Sequence, residues 1–535
     1  MILPLAFLIV FYYFPLLIIF INHLALKDFF RLIFTTLSDE GVISSIIFSF
    51  WQALLSAVLS VLIGFPIAYI IAKYDFRGKN LATALMSTPF VLPTIVVSYA
   101  FIILYSDFGI ITRLLRIIGI NIVLGKGIIG ILLAHIFYNS PLSALIIAGL
   151  WRRIGRETEE VSAVYSKSKV LNFFRITLPL LMPGILLAFI LSFLFCFLSF
   201  EIVLILGGGY YRTIEVEIFT LYNALFKINE ATALAFIQLI LIALFLLIYL
   251  IISEKIPRGE KTEVMVEKSF SEEQKLKKIL LIFYLIIYLA FQILPIVIII
   301  LSGFYNPVTG QFTMEGLTNL LSTKYNIYLG APPIMAPINS LIYSASTAII
   351  VTILSIISAR VLYERRAISI GYGLLMFAPM ATSRITLALS YILAFGKFGF
   401  LENPTFLIIS LHILIAYPFA TRIMINGYLR IEREIREASL VFGNPKLRLI
   451  KIELPLLKSS IIAALIISLA TSLGEFAASN LLARGRYATL TIFLYLMIGG
   501  RRFVSAGAAA FLLTFITIIL FYVIIRTGES LESAF

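Results

Sequence analysis

Long apolar runs, separated by short polar breaks, extend along the whole chain. Runs of 18 or more recur, and each is long enough to cross a bilayer as an α-helix. Twelve spans are predicted, near 2–22, 44–72, 81–105, 128–150, 182–206, 231–252, 279–302, 338–359, 370–396, 404–428, 459–482 and 505–525. The largest polar break, residues 253–278, mixes basic and acidic side chains with little hydrophobicity, which reads as a solvated cytoplasmic linker. The expected fold is an all-α membrane protein, a polytopic bundle of about 12 transmembrane helices in two parallel six-helix repeats. Residues 1–252 form the first repeat and 279–535 the second.

Internal similarity supports this division. Pro15 corresponds to Pro295, Pro89 to Pro379, Ser98-Tyr99 to Ser390-Tyr391, and Thr213 to Thr489. His135-x5-Pro141 recurs as His412-x5-Pro418. Six is an even number, so each repeat enters and leaves on the same side. The repeats are therefore parallel, related by an axis along the membrane normal.

One polar segment recurs with nearly the same layout. Residues 160–179 read EVSAVYSKSKVLNFFRITLP, and 437–455 read EASLVFGNPKLRLIKIELP. In the second copy Gly443-Asn444-Pro445 breaks a short helix, because glycine admits positive φ and proline cannot continue a helix. Leu454-Pro455 ends the restarted one. Two short amphipathic helices at an angle, repeated on one side of the membrane, are shaped to fit grooves on a partner.

Composition agrees with a membrane bundle: 535 residues, 61% hydrophobic, 13% charged, with mean hydropathy +1.04. A net charge of +14 would suit nucleic acid, but its distribution excludes that need. With the N-terminus inside, most Lys and Arg fall in cytoplasmic segments, including Lys73, Arg77, Lys79, Arg152, Arg153, Arg156, Arg365 and Arg366, which is the positive-inside bias. Linker and C-terminus are then cytoplasmic too. The opening run lacks a basic n-region and cleavage site, so it is expected to be a retained helix. The single cysteine, Cys196, lies within a span, which leaves no intrachain disulfide or cysteine metal site. No Gly-x4-Gly-Lys-Ser/Thr phosphate loop occurs, so the chain is expected not to be an enzyme and to lack its own nucleotide site.

The duplicated segment resembles the EAA loop of permease subunits in binding-protein-dependent ABC importers, EAA-x3-G-x9-I-x-LP. The first copy carries Glu160, Ser162, Ser166, Leu178 and Pro179; the second carries Glu437, Ala438, Gly443, Leu454 and Pro455. Ser166 replaces the usual glycine, and the second copy has eight residues, not nine, before Ile452. Fusion of two permeases in one chain is similar to ferric-iron and thiamine importers, as is the stretch 195–225 with its Gly-Gly-Gly and Thr-Ile-Glu-Val. The resemblance implies a permease component in the cell membrane that moves a small solute by alternating access. It further implies two ABC ATPase subunits gripping the two loops, and an external or periplasmic solute-binding protein. ATP would be used by those partners, and no cofactor is expected on this chain. Membrane lipid surrounds it. An ion-coupled secondary transporter with parallel 6+6 repeats is the rival reading, though no acidic relay crosses the spans; a non-transporting scaffold is another.

Ionisable groups within spans suggest function by default. Glu201 and Glu475 occupy comparable places in the fifth helix of each repeat and, with Arg384, are candidates for the pathway; the bland alternative is that the carboxylates pair with Arg384 or meet external water. His135 and His412 each stand alone, without metal-ligand spacing, and read as hydrogen-bonded packing residues near proline kinks. Trp51 and Trp151 are expected at opposite membrane interfaces.

Overall fold

A computed structural model describes residues 2–24, 29–152, 154, 169–254, 268–270, 273–307, 309–364, 366–432, 434–435 and 448–526. Among them, ten helices are long and apolar enough to cross a membrane, or twelve if each bent pair forms one span. The chain is an all-α polytopic membrane protein. In the first half we name α1 (residues 2–24), α2 (Glu40–Lys73), α3 (Thr94–Tyr105), α4 (Gly127–Trp151), α5 (Leu178–Phe197), α6 (Glu201–Leu206), α7 (Ile214–Asn223) and α8 (Ile228–Glu254). The second half repeats the series as α9 (Lys275–Ser302), α10 (Met335–Glu364), α11 (Arg384–Phe395), α12 (Thr405–Leu429), α13 (Lys458–Leu473), α14 (Ala477–Leu482), α15 (Leu490–Gly499) and α16 (Phe503–Arg526).

Prolines set the local geometry of the first and fifth spans. A π-turn precedes Pro15 (Ile9–Tyr13), Pro179 (Phe173–Thr177) and Pro455 (Leu449–Glu453). Proline has no N–H and its ring crowds the carbonyl four residues back, so the regular ladder fails there. The residue before each proline instead donates five residues back: Phe14 to Ile9, Leu178 to Phe173, Leu454 to Leu449.

Within each half, the second, fourth and fifth helices pack together: α2, α4 and α5, then α10, α12 and α13. The first helices cross over. Helix α1 packs on α11, and α9 packs on α3. Tyrosines fasten both crossings. Tyr12 donates to the Ala378 carbonyl at 2.9 Å and pairs with Thr382 at 2.7 Å; Tyr284 donates to the Ile63 carbonyl at 2.7 Å.

The end of the predicted linker is not a solvated tether. Strand β1 (Tyr74–Asp75), directly after α2, pairs in parallel with β2 (Lys268–Ser269). Phe270 is buried and stacks on Tyr74 with centroids 4.7 Å apart. Tyr74 donates to Glu273 at 2.7 Å, and Lys277 reaches Tyr69, Tyr74 and Glu273 at 3.0–3.1 Å. Burial, then Tyr69 and Glu273, push the Tyr74 phenol pKa up, so it stays a neutral donor. The apolar share of this clasp comes from one ring, so Phe270→Ala removes roughly 1–3 kcal/mol of local stability. Limited proteolysis of detergent-solubilised protein should then cleave between 255 and 275 several-fold faster, and an unchanged rate would count against the clasp.

Candidate functional site

The fifth span of each half breaks near its C-terminal end. Helix α5 ends at Phe197 and α6 starts at Glu201; α13 ends at Leu473 and α14 starts at Ala477. The predicted spans 182–206 and 459–482 are thus each two helices. Non-helical backbone is tolerable inside a bilayer only where protein satisfies it, and matching bonds do so here. Ser49 Oγ accepts from Ile214 N in the first half, and Ser340 Oγ accepts from Leu490 N in the second, both at 2.8 Å. Thr213 donates to the Ser199 carbonyl and Thr491 to the Glu475 carbonyl, both at 2.9 Å.

The two breaks meet. Phe200 and Phe476 are both buried, with ring centroids 6.0 Å apart and planes at 22°. Behind them, Phe219 lies 5.4 Å from Phe200, and Tyr495 lies 5.1 Å from Phe476. An offset of 276 relates both pairs. A residue that touches its own counterpart lies on the axis relating the two, so the pseudo-twofold axis passes between Phe200 and Phe476.

The same offset corrects the pairing of the acidic residues. Glu201 and Glu475 are not counterparts. His135 Nε2 meets Ser199 Oγ at 2.9 Å, and His412 Nε2 meets Glu475 Oε2 at 3.3 Å, which makes Ser199 the equivalent of Glu475. Glu201 begins α6 where Ala477 begins α14. The acidic flank of the junction is therefore asymmetric.

The two carboxylates are also held differently. Glu475 accepts from Ala478 N (2.8 Å), Ser479 N (3.0 Å) and Ser479 Oγ (2.6 Å), capping α14. Glu201 is 5% exposed, and its Oε1 has no hydrogen-bond donor. Arg384 stands 3.9 Å from that oxygen, with its side chain 48% exposed. A third carboxylate, Glu215, is the acid of the Thr-Ile-Glu-Val stretch, which stands out in the sequence without giving this residue a role. It accepts from Ser383 Oγ at 2.7 Å across the seam and from Gln238 Nε2 at 3.0 Å. Arg384 is coupled electrostatically to all three carboxylates.

The other expected sites are placed as follows. His135 also meets Ser56 at 2.9 Å, and His412 meets Ser472 at 2.6 Å, so both rings are fully engaged in packing. Trp51 is half exposed, whereas Trp151 is buried among Phe65, Tyr69 and Phe173 and does not face an interface. Glu160, Ser162, Ser166, Glu437, Ala438 and Gly443 lie outside the described residues. Leu178 and Leu454 are half-buried beside exposed Pro179 and Pro455. These loop ends join the bundle by different chemistry. In the first half the joint is the aromatic group around Trp151. In the second, Arg448 pairs with Glu453 (2.8 Å) and Glu364, and Arg360 pairs with Glu453 and Glu364 at 3.3 Å.

Comparison with known proteins places this arrangement. Residues 60–258 match the family described as binding-protein-dependent transport system inner membrane component. The chain is 28% identical over 501 residues to the thiamine transport system permease protein ThiP of Haemophilus influenzae, covering 90% of this chain and 88% of that protein. It is 26% identical to ThiP of Escherichia coli over 484 residues, covering 89% and 87%. A probable sulfate transport system permease protein cysT of Helicosporidium is 28% identical over 178 residues, 33% of this chain and 65% of that one.

Proposed function

We propose that this chain, with its match to inner membrane components of binding-protein-dependent transport systems over residues 60–258, is the permease of an ATP-driven importer of thiamine or a thiamine-like organic cation. The relatives' names favour thiamine over ferric iron. The observation that carries the reading is the junction of the two broken fifth helices, closed by Phe200 and Phe476 and flanked by Glu201 and Glu475. Discontinuous helices at a repeat interface are where transporters place their solute. Buried carboxylates there favour a cation.

Two ATPase subunits would grip the loops around Glu160 and Glu437 from the cytoplasm. Their closure would rock the two halves, each including residues 1–252 or 279–535, and alternate access on either side of the junction. A solute-binding protein would deliver thiamine to the external loops. The rocking needs stiff halves joined by a yielding seam, and the bonding fits. The half-helices are tied to their own half by the Ser49, Thr213, Ser340 and Thr491 bonds. Across the axis, the Phe200 and Phe476 rings meet by van der Waals contact, and beside them the seam is bridged by the Ser383–Glu215 bond and the loose approach of Arg384 to Glu201.

The direct test is uptake in proteoliposomes holding the permease, its ATPase and its binding protein. ATP inside should drive thiamine accumulation, and omitting the ATPase should lower it at least ~10-fold. Uptake that persists on an ion gradient without ATPase would establish the secondary-transporter reading instead.

A further inference from the structure

The seam holds one cation that the fold itself gives little reason to keep. Arg384 opens α11, and a positive charge at a helix N-terminus opposes the helix dipole. Nearly half of its side chain is exposed, and it approaches Glu201 Oε1 only to 3.9 Å, beyond hydrogen-bond length. Glu201 Oε1 is buried and lacks any donor, which is costly for a carboxylate. The remaining neighbours are satisfied: Glu215 by Ser383 and Gln238, Glu475 by α14 and His412. One carboxylate oxygen is thus left with a loosely held, movable counter-charge.

We propose that the junction is a binding site for a planar organic cation, which parts Phe200 from Phe476, stacks between them and replaces Arg384 as the counter-ion of Glu201. This deepens the thiamine reading and rests on it for the choice of solute. Two ring contacts of ~3.5–4 Å each require the Phe planes to stand roughly 7–8 Å apart, so the rings, now in offset contact with centroids 6.0 Å apart, must part by about one ring thickness, ~3.5 Å. Each ring belongs to a different half, so a small rotation of the halves opens the gap without breaking bonds inside either. A cation between aromatic faces gains cation–π attraction, worth more once desolvated. In the empty state Arg384 balances part of the negative charge; when the solute arrives, the exposed Arg384 swings away.

Equilibrium binding tests the site apart from transport. The purified permease, without ATPase or binding protein, should bind radiolabelled thiamine, and Phe200→Leu or Phe476→Leu should each weaken that binding at least ~5-fold with the melting midpoint little changed. Glu201→Gln should abolish binding, and Arg384→Gln should shift it to ~10-fold lower thiamine concentration. A purely structural ion pair predicts that the last two changes act alike, so shifts in the same direction would overturn the proposal. Absence of thiamine binding to the purified permease would overturn it as well. Maltose, neutral and non-aromatic, should not compete. Failure of ATP-driven uptake by the wild-type complex would instead sink the importer reading, and leaves this measurement intact.

Discussion

Replacing Glu160 and Glu437 together by Lys should cut recovery of the ATPase with the permease at least ~30-fold and reduce uptake to background. Each loop would present its acidic residue to one ATPase subunit, so the double change reverses charge at both contacts. Reversing a charge in a close interfacial pair typically costs 2–5 kcal/mol, and ~2 kcal/mol already corresponds to about 30-fold in affinity. Single changes should leave one grip and an intermediate recovery. Insertion should be unaffected, because both residues fall between spans in polar segments. The measurement is co-purification of ATPase on a tagged permease, at fixed salt because interfacial charge is screened. Undiminished recovery would remove the loops from the coupling role.

The architecture was legible because a bilayer forces it into the sequence. Apolar runs of the required length lie close to α1, α2, α4, α8, α9, α10, α12 and α16, whereas the predicted spans 81–105 and 370–396 are broken ahead of α3 and α11, and α7 and α15 were not expected. The duplicated loops and the His-x5-Pro spacing gave the repeat. What escaped is what hydropathy does not encode. The breaks at residues 198–200 and 474–476 sit inside largely apolar runs, where Thr213 and Thr491, from the following helix starts, bond the open carbonyls of Ser199 and Glu475. Phe200 and Phe476 look like any other apolar residue until the two halves meet. Glu201 and Glu475 were visible as rare charges, but they are two residues out of register, which shows only in the Phe200–Phe476 offset and the contacts with His135 and His412. The clasp at Phe270 was hidden for the opposite reason: one buried ring lies in a segment whose average is charged.

Changing Gly64 to Leu should destabilise the first half strongly, and this expectation needs no assumption about function. Helices associate in membranes by close backbone approach at small residues, and α2 and α4 have one such contact. A Cβ at Gly64 would lie 2.5 Å from the Ser140 carbonyl oxygen, 3.1 Å from Ala144 N and 3.2 Å from Ser143 Cβ. Two of those atoms are backbone, so no rotamer change relieves the overlap, and the helices must separate. Overpacking costs typically 1–3 kcal/mol, with unyielding neighbours at the upper end. The separation also pulls on the bonds along the same seam: Ser56 to His135, and Ser140 to Tyr288 of α9, which holds the second half's first helix against the first half. For a half of about 250 residues, ~3 kcal/mol corresponds to roughly 6 °C or more in melting midpoint, measurable by thermal unfolding in detergent. Gly149 on the same helix α4 has no heavy atom within 4 Å of such a Cβ, so Gly149→Leu should melt like the parent. Equal midpoints for the two variants would mean that the α2–α4 crossing is looser than these distances state, and with it the stiffness on which rocking of the halves depends.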